Sequence, residues 1–144
     1  MKKLLLALLM LPALAAAQKT PQGVTYPAEI VRINDGDTVV IAAPFLPAPL
    51  KPELAVRVFG VDTPEKGFRA QCPQEDARGK AATEFTKAQV QNSRQRQVIL
   101  YSWDKFGGRV LGDIILDGRS LRQGLIANGF AREYYGEAKT SWCQ

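Results

Sequence analysis

Between positions 29 and 61 the hydrophobic residues fall into three short runs, at 29–33, 38–43 and 54–61, and the last two are rich in valine. Runs of this length and composition predict β-strands. The Asn-Asp-Gly sequence at 34–36 predicts a tight turn, because these residues tolerate positive φ. Four prolines between 44 and 52 predict a loop before the third strand. We therefore expect the second and third strands to pair antiparallel across this loop.

The spacing of apolar residues changes to three and four between position 73 and about position 93. Ala77, Ala81, Phe85 and Ala88 would share one face of a helix. Acidic residues near the start and arginines near the end of the segment match the helix dipole. The pattern predicts one amphipathic helix with this face turned inward.

Two further apolar runs, at 97–103 and 110–116, predict a hairpin across 104–109. Ser120 with Gln123 forms the sequence of a capping box at the start of a second, short helix, and the glycine that ends this helix is Gly129. The order of elements is strand, strand, strand, helix, strand, strand, helix. It predicts an α+β fold, mainly β, built as a five-stranded Greek-key barrel of the OB-fold type.

The chain begins with two lysines, an apolar run at 4–14 and three alanines, which is the pattern of a secretory signal peptide. The apolar run is shorter than the roughly 20 residues of a membrane-spanning helix, and it contains Pro12. We therefore favour a removed signal peptide at 1–17 over a retained anchor. A lead-in at 18–27 and one domain at 28–144 would follow. The mature protein is expected to be periplasmic or extracellular, monomeric and without a stable membrane anchor.

The two cysteines, Cys72 and Cys143, are far apart in the sequence. In an oxidising compartment such a pair predicts a disulfide rather than a metal site. Two unrelated buried thiols are the alternative.

The 144 residues carry a net charge of +5, and without Lys2 and Lys3 the chain has 17 basic against 14 acidic residues, which leaves +3. This charge is a mild bias toward polyanionic partners. The chain has no histidine, which excludes Ser/His/Asp and Cys/His mechanisms and an HNH-type nuclease site, and with only two cysteines as well it cannot close a zinc finger. If the protein is an enzyme, its chemistry rests on carboxylates, arginines, lysines, hydroxyls and a hard metal ion.

Three stretches at the ends of predicted strands are unusually polar: 30–41, 56–65 and 104–114. Antiparallel pairing of the second and third strands would bring Asp37 and Asp62 to the same end of the sheet. Two close carboxylates repel each other unless a cation lies between them. Ca²⁺ takes carboxylate, carbonyl and water oxygens, and Thr63 offers a carbonyl beside Asp62. The sequence therefore predicts a Ca²⁺ site.

Glu65 follows on the same loop, where a carboxylate can orient or deprotonate a water. Arg57 and Arg109 offer planar guanidinium groups that bind phosphate oxygens through two hydrogen bonds. Arg57 and Asp62 are five positions apart, which would put them on opposite faces of a flat strand. Gly60 between them predicts a bulge or kink that restores a common side.

These stretches, in this order and with these gaps, resemble the staphylococcal nuclease (thermonuclease) family from about residue 28 to residue 135. The resemblance implies a phosphodiesterase that uses one Ca²⁺ ion to cleave DNA and RNA with little sequence preference and leaves 3′-phosphate ends. It also implies the roles of particular residues: Asp37, Asp62 and Thr63 as Ca²⁺ ligands, Glu65 as general base, Arg57 and Arg109 as phosphate ligands, and Lys105, Phe106 and Tyr135 as substrate contacts.

The chain departs from the family's pattern in three places. Gly107 and Gly108 put one extra residue before Arg109, and Phe106 stands where a tyrosine is common. The C-terminus is shortened, and we expect the disulfide to tie this tail to the loop near Glu65. The two tryptophans of the chain, Trp103 and Trp142, are expected to pack rather than to function.

Two other classes of function stay open at this point. One is a catalytically silent OB-fold module that binds nucleic acid or protein. The other is an exported interaction protein in which the aspartate pair holds a structural Ca²⁺.

Overall fold

The computed structural model describes residues 20–144, and the expected signal peptide at 1–17 lies outside the described residues. Within that range the elements, in chain order, are β1 (Val24–Pro27), β2 (Ile30–Asp35), β3 (Thr38–Ala42), β4 (Glu53–Val58), β5 (Val61–Asp62), a 3₁₀ turn (Gly67–Arg69), α1 (Pro73–Gln91), β6 (Arg96–Trp103), β7 (Arg109–Leu116), β8 (Arg119–Ser120), α2 (Leu121–Ala127) and β9 (Arg132–Glu133). None of the helices in this part of the chain is long and apolar enough to cross a membrane.

The main sheet closes on itself. Hydrogen-bonded strands follow the order β1, β6, β7, β4, β3, β2, with β8 added to β7. The β4–β7 pair is parallel and the other pairs are antiparallel. The two end strands of this order, β1 and β2, are consecutive in the chain and are separated only by Ala28 and Glu29. The Ala28 amide donates to the Arg96 carbonyl, and the Glu29 carbonyl accepts from the Ala42 amide, so this segment bonds to both neighbouring strands. Counting β1 and β2 as one bent strand gives five strands, so the predicted α+β barrel is confirmed.

Two boundaries differ from the predicted ones. The third strand was predicted to reach position 61, but β4 ends at Val58, because Gly60 turns the chain with a φ of +75°. The next residues form β5, which pairs with β9 in a separate two-stranded sheet. This break is the kink that Gly60 was expected to provide. The lead-in at 18–27 contains β1, which covers the edge of the long strand β6 that would otherwise be unpaired.

Helix α1 is present, but its predicted inward face is only partly correct: Phe85 packs against the core, as expected. Ala77 and Ala81 are exposed, whereas Ala82, Thr83 and Thr86 are buried. The two threonines tolerate burial because their hydroxyls donate to the carbonyls of Gly79, at 2.9 Å, and Gly36, at 2.7 Å. The second helix begins as predicted, with the Ser120 hydroxyl accepting from the Gln123 amide.

The hydrophobic core fills the barrel and the space under α2. Its fully buried side chains include Val39, Val56, Val58, Ile114 and Leu125. Burial of one such side chain contributes about 1.5–3 kcal/mol. The core thus fixes β4 and β7, the two strands that carry Arg57 and Arg109.

Candidate active site

One cleft of about 700 Å³ lies between the β4–β5 turn, the β6–β7 hairpin and the chain after β9. Six of the residues predicted from the sequence line it: Arg57, Glu65, Lys105, Phe106, Arg109 and Tyr135. The structure therefore brings together the side chains predicted to act on phosphate and those predicted to contact substrate.

The two arginines converge because of the parallel β4–β7 pairing. Arg109 lies opposite Ala55, and Arg57 lies opposite Leu111. Side chains two positions apart on a strand point to the same face. Arg57 and Arg109 therefore project from adjacent strands into the same space.

The extra glycine in the hairpin does not displace Arg109 from the cleft. Gly107 and Gly108 both have positive φ, 67° and 65°, and the loop closes through a backbone bond from Asp104 to Arg109. Nε of Arg109 donates to Oδ2 of Asp104 at 2.6 Å, and Nη2 lies 2.5 Å from the same oxygen in an ion pair. Asp104 is buried and was not predicted as a site residue, although it begins the polar hairpin stretch.

Asp37, the first predicted metal ligand, is buried behind Arg57. Its Oδ2 lies 3.3 Å from Nη1 of Arg57, and Thr38 donates its hydroxyl to Oδ1 at 3.1 Å. Nη2 of Arg57 reaches the carbonyl of Val61 at 3.4 Å, one residue before Asp62. Arg57 thus links Asp37 to the start of the loop that carries the other predicted ligands.

The pKa of Asp37 is raised to about 7, chiefly by burial. The Arg57 guanidinium lowers it, and the nearby Asp35 carboxylate raises it further. A carboxyl with so high a pKa lies where the protein supplies too little positive charge to offset its burial. A cation beside Asp37 would supply that charge.

Asp62 and Thr63, the other predicted ligands, are both buried and line a second cavity of about 280 Å³. Glu65 lines both this cavity and the main cleft. The Asp62 carboxylate accepts a hydrogen bond from Nε1 of Trp142 at 3.1 Å and lies 2.6 Å from Nζ of Lys139.

The carboxylates of Asp37 and Asp62 and the Thr63 carbonyl are of the oxygen type that a hard cation takes. Oδ1 of Asp35 and Oδ1 of Asp62 are buried, and neither accepts a hydrogen bond in the described structure. The Lys139 ammonium lies close to Oδ1 of Asp62, but without hydrogen-bonding geometry. No group of three or more His, Cys, Asp or Glu side chains in residues 20–144 is arranged to hold a metal. A Ca²⁺ site built on Asp37, Asp62 and the Thr63 carbonyl would therefore take its remaining oxygens from water.

Glu65 contacts two residues that the sequence did not single out, Arg69 and Glu75. Its Oε2 lies 3.1 Å from Nε of Arg69, whose Nη2 lies 3.1 Å from Oδ2 of Asp35. The Glu65 amide donates to Oε1 of Glu75, a buried carboxylate on α1, at 3.2 Å. These contacts connect the Glu65 loop both to the aspartates and to the helix.

Aromatic side chains line the open part of the cleft. Phe106 is 74% exposed, with the Lys105 ammonium 5.1 Å and the Arg109 guanidinium 5.5 Å from its ring centroid. Trp103 also lines the cleft and is 67% exposed, so the expectation that it packs is wrong. The reason is its position at the end of β6, beyond the core. Trp142 is 8% exposed, as expected of a packed residue.

Cys72 and Cys143 form a disulfide with their Cα atoms 5.9 Å apart, which excludes two separate thiols. Cys72 is also the N-cap of α1, where its sulfur accepts from the Glu75 amide. The bridge therefore ties the C-terminal tail to the helix that supports the Glu65 loop.

A family model described as staphylococcal nuclease homologue matches residues 55–142, which is more than half of the chain. The chain belongs to the staphylococcal nuclease family. The match includes Arg57, Asp62, Glu65 and Arg109 and begins after Asp37. Membership of this family supports a nuclease-type function and nucleic acids as substrates.

Proposed function

We propose that this member of the staphylococcal nuclease family is a Ca²⁺-dependent, sequence-nonspecific nuclease. It hydrolyses the phosphodiester bonds of DNA and RNA and leaves 3′-phosphate ends. The observation that carries the proposal is the convergence of Arg57, Glu65 and Arg109 on one cleft. A silent binding module has no need of this combination of a carboxylate with two guanidinium groups.

The reaction that these residues suit is attack of a water on phosphorus with loss of the 5′-oxygen. Glu65 takes a proton from the water, the new bond forms between the water oxygen and phosphorus, and the P–O5′ bond breaks. The departing 5′-oxygen takes up a proton from solvent water, so the products are a 3′-phosphate and a 5′-hydroxyl. The partly exposed position of Glu65 in the cleft supports this role.

Arg57 and Arg109 would bind the non-bridging oxygens of the phosphate. Negative charge grows on these oxygens as water attacks, so guanidinium groups fixed beforehand lower the barrier. Asp37 orients Arg57 and Asp104 orients Arg109, each through an ion pair. The two guanidinium groups are therefore fixed before substrate arrives.

The residues that would hold Ca²⁺ are Asp37, Asp62 and Thr63. When bound, the ion supplies positive charge that neutralises the phosphate and makes a water more acidic. The raised pKa of Asp37 and the burial of both aspartates support these residues as the ligands.

Substrate binding would use the basic and aromatic lining of the same cleft. Lys105 offers a positive charge to the nucleic-acid backbone, and Phe106, Tyr135 and Trp103 offer ring faces to unpaired bases. This lining favours single-stranded or transiently open regions, in which bases are free to stack.

The test is digestion of plasmid DNA and of RNA by the mature, oxidised protein in Ca²⁺ and in chelator, followed by analysis of the product ends. We expect cleavage of both substrates in Ca²⁺, none in chelator, and 3′-phosphate ends that a polymerase extends only after phosphatase treatment. Cleavage that survives chelation would reject the metal assignment. Ca²⁺ binding without cleavage would favour a binding module or a structural metal.

We further propose that the mature protein is monomeric and is exported to the periplasm or beyond the cell. The signal-peptide pattern at 1–17 and the Cys72–Cys143 disulfide support export, since disulfides persist in oxidising compartments.

A further inference from the structure

The last residues of the chain are anchored beside Asp62. We call residues 139–143 the C-terminal clamp. Cys143 at its end is bonded to Cys72, and Arg78 of α1 donates to the carbonyl of Trp142 at 3.1 Å. Arg132 of β9 donates to the carbonyls of Thr140 and Ser141, at 3.2 and 3.0 Å. The clamp is thus fixed at several points by groups on two different elements.

Trp142 is held by its ring as well as by its backbone carbonyl. The Arg132 guanidinium lies 3.6 Å from the centroid of the indole, a cation–π contact. Arg132 is also the residue that pairs with Asp62 in the β5–β9 ladder. The same arginine therefore fixes the indole against the strand that carries Asp62.

The two oxygens of the Asp62 carboxylate contact different side chains of the clamp. Nε1 of Trp142 donates to Oδ2 at 3.1 Å, whereas Nζ of Lys139 lies 2.6 Å from Oδ1 without hydrogen-bonding geometry. An indole N–H is a neutral donor that orients a carboxylate and leaves its charge in place. An ammonium is a counter-ion, and it sits where a bound cation would sit.

We propose that the C-terminal clamp sets the cation affinity of Asp62. Trp142 is a positioning residue: it fixes Oδ2 so that Oδ1 faces the site. Lys139 is an internal competitor that occupies Oδ1 until a divalent cation displaces it. The inference rests on the proposed function in one respect, which is that Asp62 is a Ca²⁺ ligand.

Lys139 can leave Oδ1 at little cost. Its side chain is about half exposed, and its ammonium lies 5.6 Å from the ring centroid of Tyr134, which offers a second place for the charge. Trp142 is buried and bonded and has no such alternative. Removal of the two side chains should therefore change Ca²⁺ affinity in opposite directions.

The experiment is calorimetric titration of the full, oxidised mature chain with CaCl₂ in the absence of nucleic acid. For Trp142→Phe, which keeps a ring and loses the N–H, we expect affinity to fall about 10-fold or more, the usual cost of removing a group that orients a metal ligand. For Lys139→Met we expect affinity to rise several-fold. Circular dichroism checks that both variants are folded.

Two controls separate local from general effects. Lys87→Met removes the same charge from a lysine that pairs with Glu84 on α1, and Tyr26→Phe removes a hydrogen-bond donor from an exposed aromatic side chain on β1, outside the clamp. Both are expected to leave Ca²⁺ affinity unchanged. Because the expected signs differ, a general loss of stability cannot produce the result.

The outcomes distinguish this inference from the proposed function. If the unmodified protein binds no Ca²⁺, the metal assignment in the proposed function fails. If it binds Ca²⁺ and Lys139→Met binds equally or more weakly, the competitor role is overturned, whatever the behaviour of the tryptophan variant. Equal affinity of a folded Trp142→Phe variant would overturn the positioning role.

Discussion

Arg109 directs two of its nitrogens to a single carboxylate oxygen of Asp104, five residues earlier across the β6–β7 hairpin. Asp104 is buried at the base of the hairpin, and Arg109 reaches from it into the cleft. The pair fixes the plane of the guanidinium before any substrate is present. It also explains how the hairpin keeps Arg109 in place with one more glycine than the family's usual pattern.

Replacing Arg109 tests whether its shape matters as well as its charge. For Arg109→Ala we expect kcat to fall by about 10² to 10³, because stabilisation of transition-state charge is lost. Arg109→Lys should recover little of this, since an ammonium cannot bind a phosphate through two parallel hydrogen bonds. Steady-state kinetics on a defined oligonucleotide measures both. Full activity of the lysine variant would reduce the role of Arg109 to charge screening.

Gly79 of α1 allows the helix to approach the Glu65 loop. A Cβ atom at this position would lie closer to the Glu65 carbonyl than real Cβ atoms come to backbone. We expect Gly79→Ala to destabilise the fold by about 1–3 kcal/mol, as overpacking does, and to lower kcat by shifting Glu65. Urea unfolding and kinetics give the two values.

Gly124 of α2 is the matched control for Gly79. A Cβ there meets only the Phe85 ring at ordinary contact distance, 3.6 Å. Gly124→Ala should raise stability by about 1 kcal/mol through helix propensity and leave kcat unchanged. If the two glycine variants behave alike, the close approach of α1 to the loop has no bearing on catalysis.

Trp103 can serve as a fluorescent probe of substrate binding. It is exposed in the cleft, whereas Trp142, the other tryptophan, is buried. In a Glu65→Gln background with Ca²⁺, we expect a single-stranded oligonucleotide to quench Trp103 fluorescence. Trp103→Ala should weaken binding about 10-fold, within the range of one base–aromatic stack, and weaken duplex binding less.

The control for Trp103 is Phe45→Ala. Phe45 is just as exposed but lies in the proline-rich loop, outside the residues that line the cleft. This variant should bind the oligonucleotide as tightly as the parent protein. Equal affinities of the Trp103→Ala variant and the parent would remove Trp103 from the substrate surface.

The disulfide between Cys72 and Cys143 closes a long loop, with a sequence separation of 71. In the chain-entropy model such a bridge contributes on the order of 4 kcal/mol by restricting the unfolded chain. Urea unfolding with and without reductant should show a lower midpoint for the reduced protein. The double Cys→Ser variant should match the reduced protein, since serine keeps a helix cap at position 72. An unchanged midpoint would show that the bridge does not stabilise the fold.

Much of the fold follows from local pattern. The strands were predictable from their short apolar runs and valine content, and Gly60 indicated the kink that follows β4. The inward face of α1 was not fully predictable, because the apolar spacing indicated the alanines, whereas the buried residues include Thr83 and Thr86. Their hydroxyls are satisfied by carbonyls that only the folded chain brings near.

The candidate site also contains residues that the sequence could indicate and residues that it could not. Arg57, Glu65 and Arg109 stand in polar stretches at strand ends, so the sequence alone indicated them. Lys139 and Trp142 contact Asp62 from 77 and 80 positions away, a relationship that no local pattern encodes. Asp104 could have been predicted from the sequence, because it is the first residue of the polar hairpin stretch that contains Arg109.

The most direct test of the account is the turnover number of Glu65→Gln on single-stranded DNA at saturating Ca²⁺. The matched control is Glu84→Gln, the same change at an exposed glutamate of α1 that pairs with Lys87. We predict that Glu65→Gln lowers kcat by about 10² to 10⁴, the usual contribution of a general base, with its fold and Ca²⁺ affinity retained. Glu84→Gln should retain full activity. A Glu65→Gln protein that cleaves DNA at the parent rate would contradict the proposed mechanism.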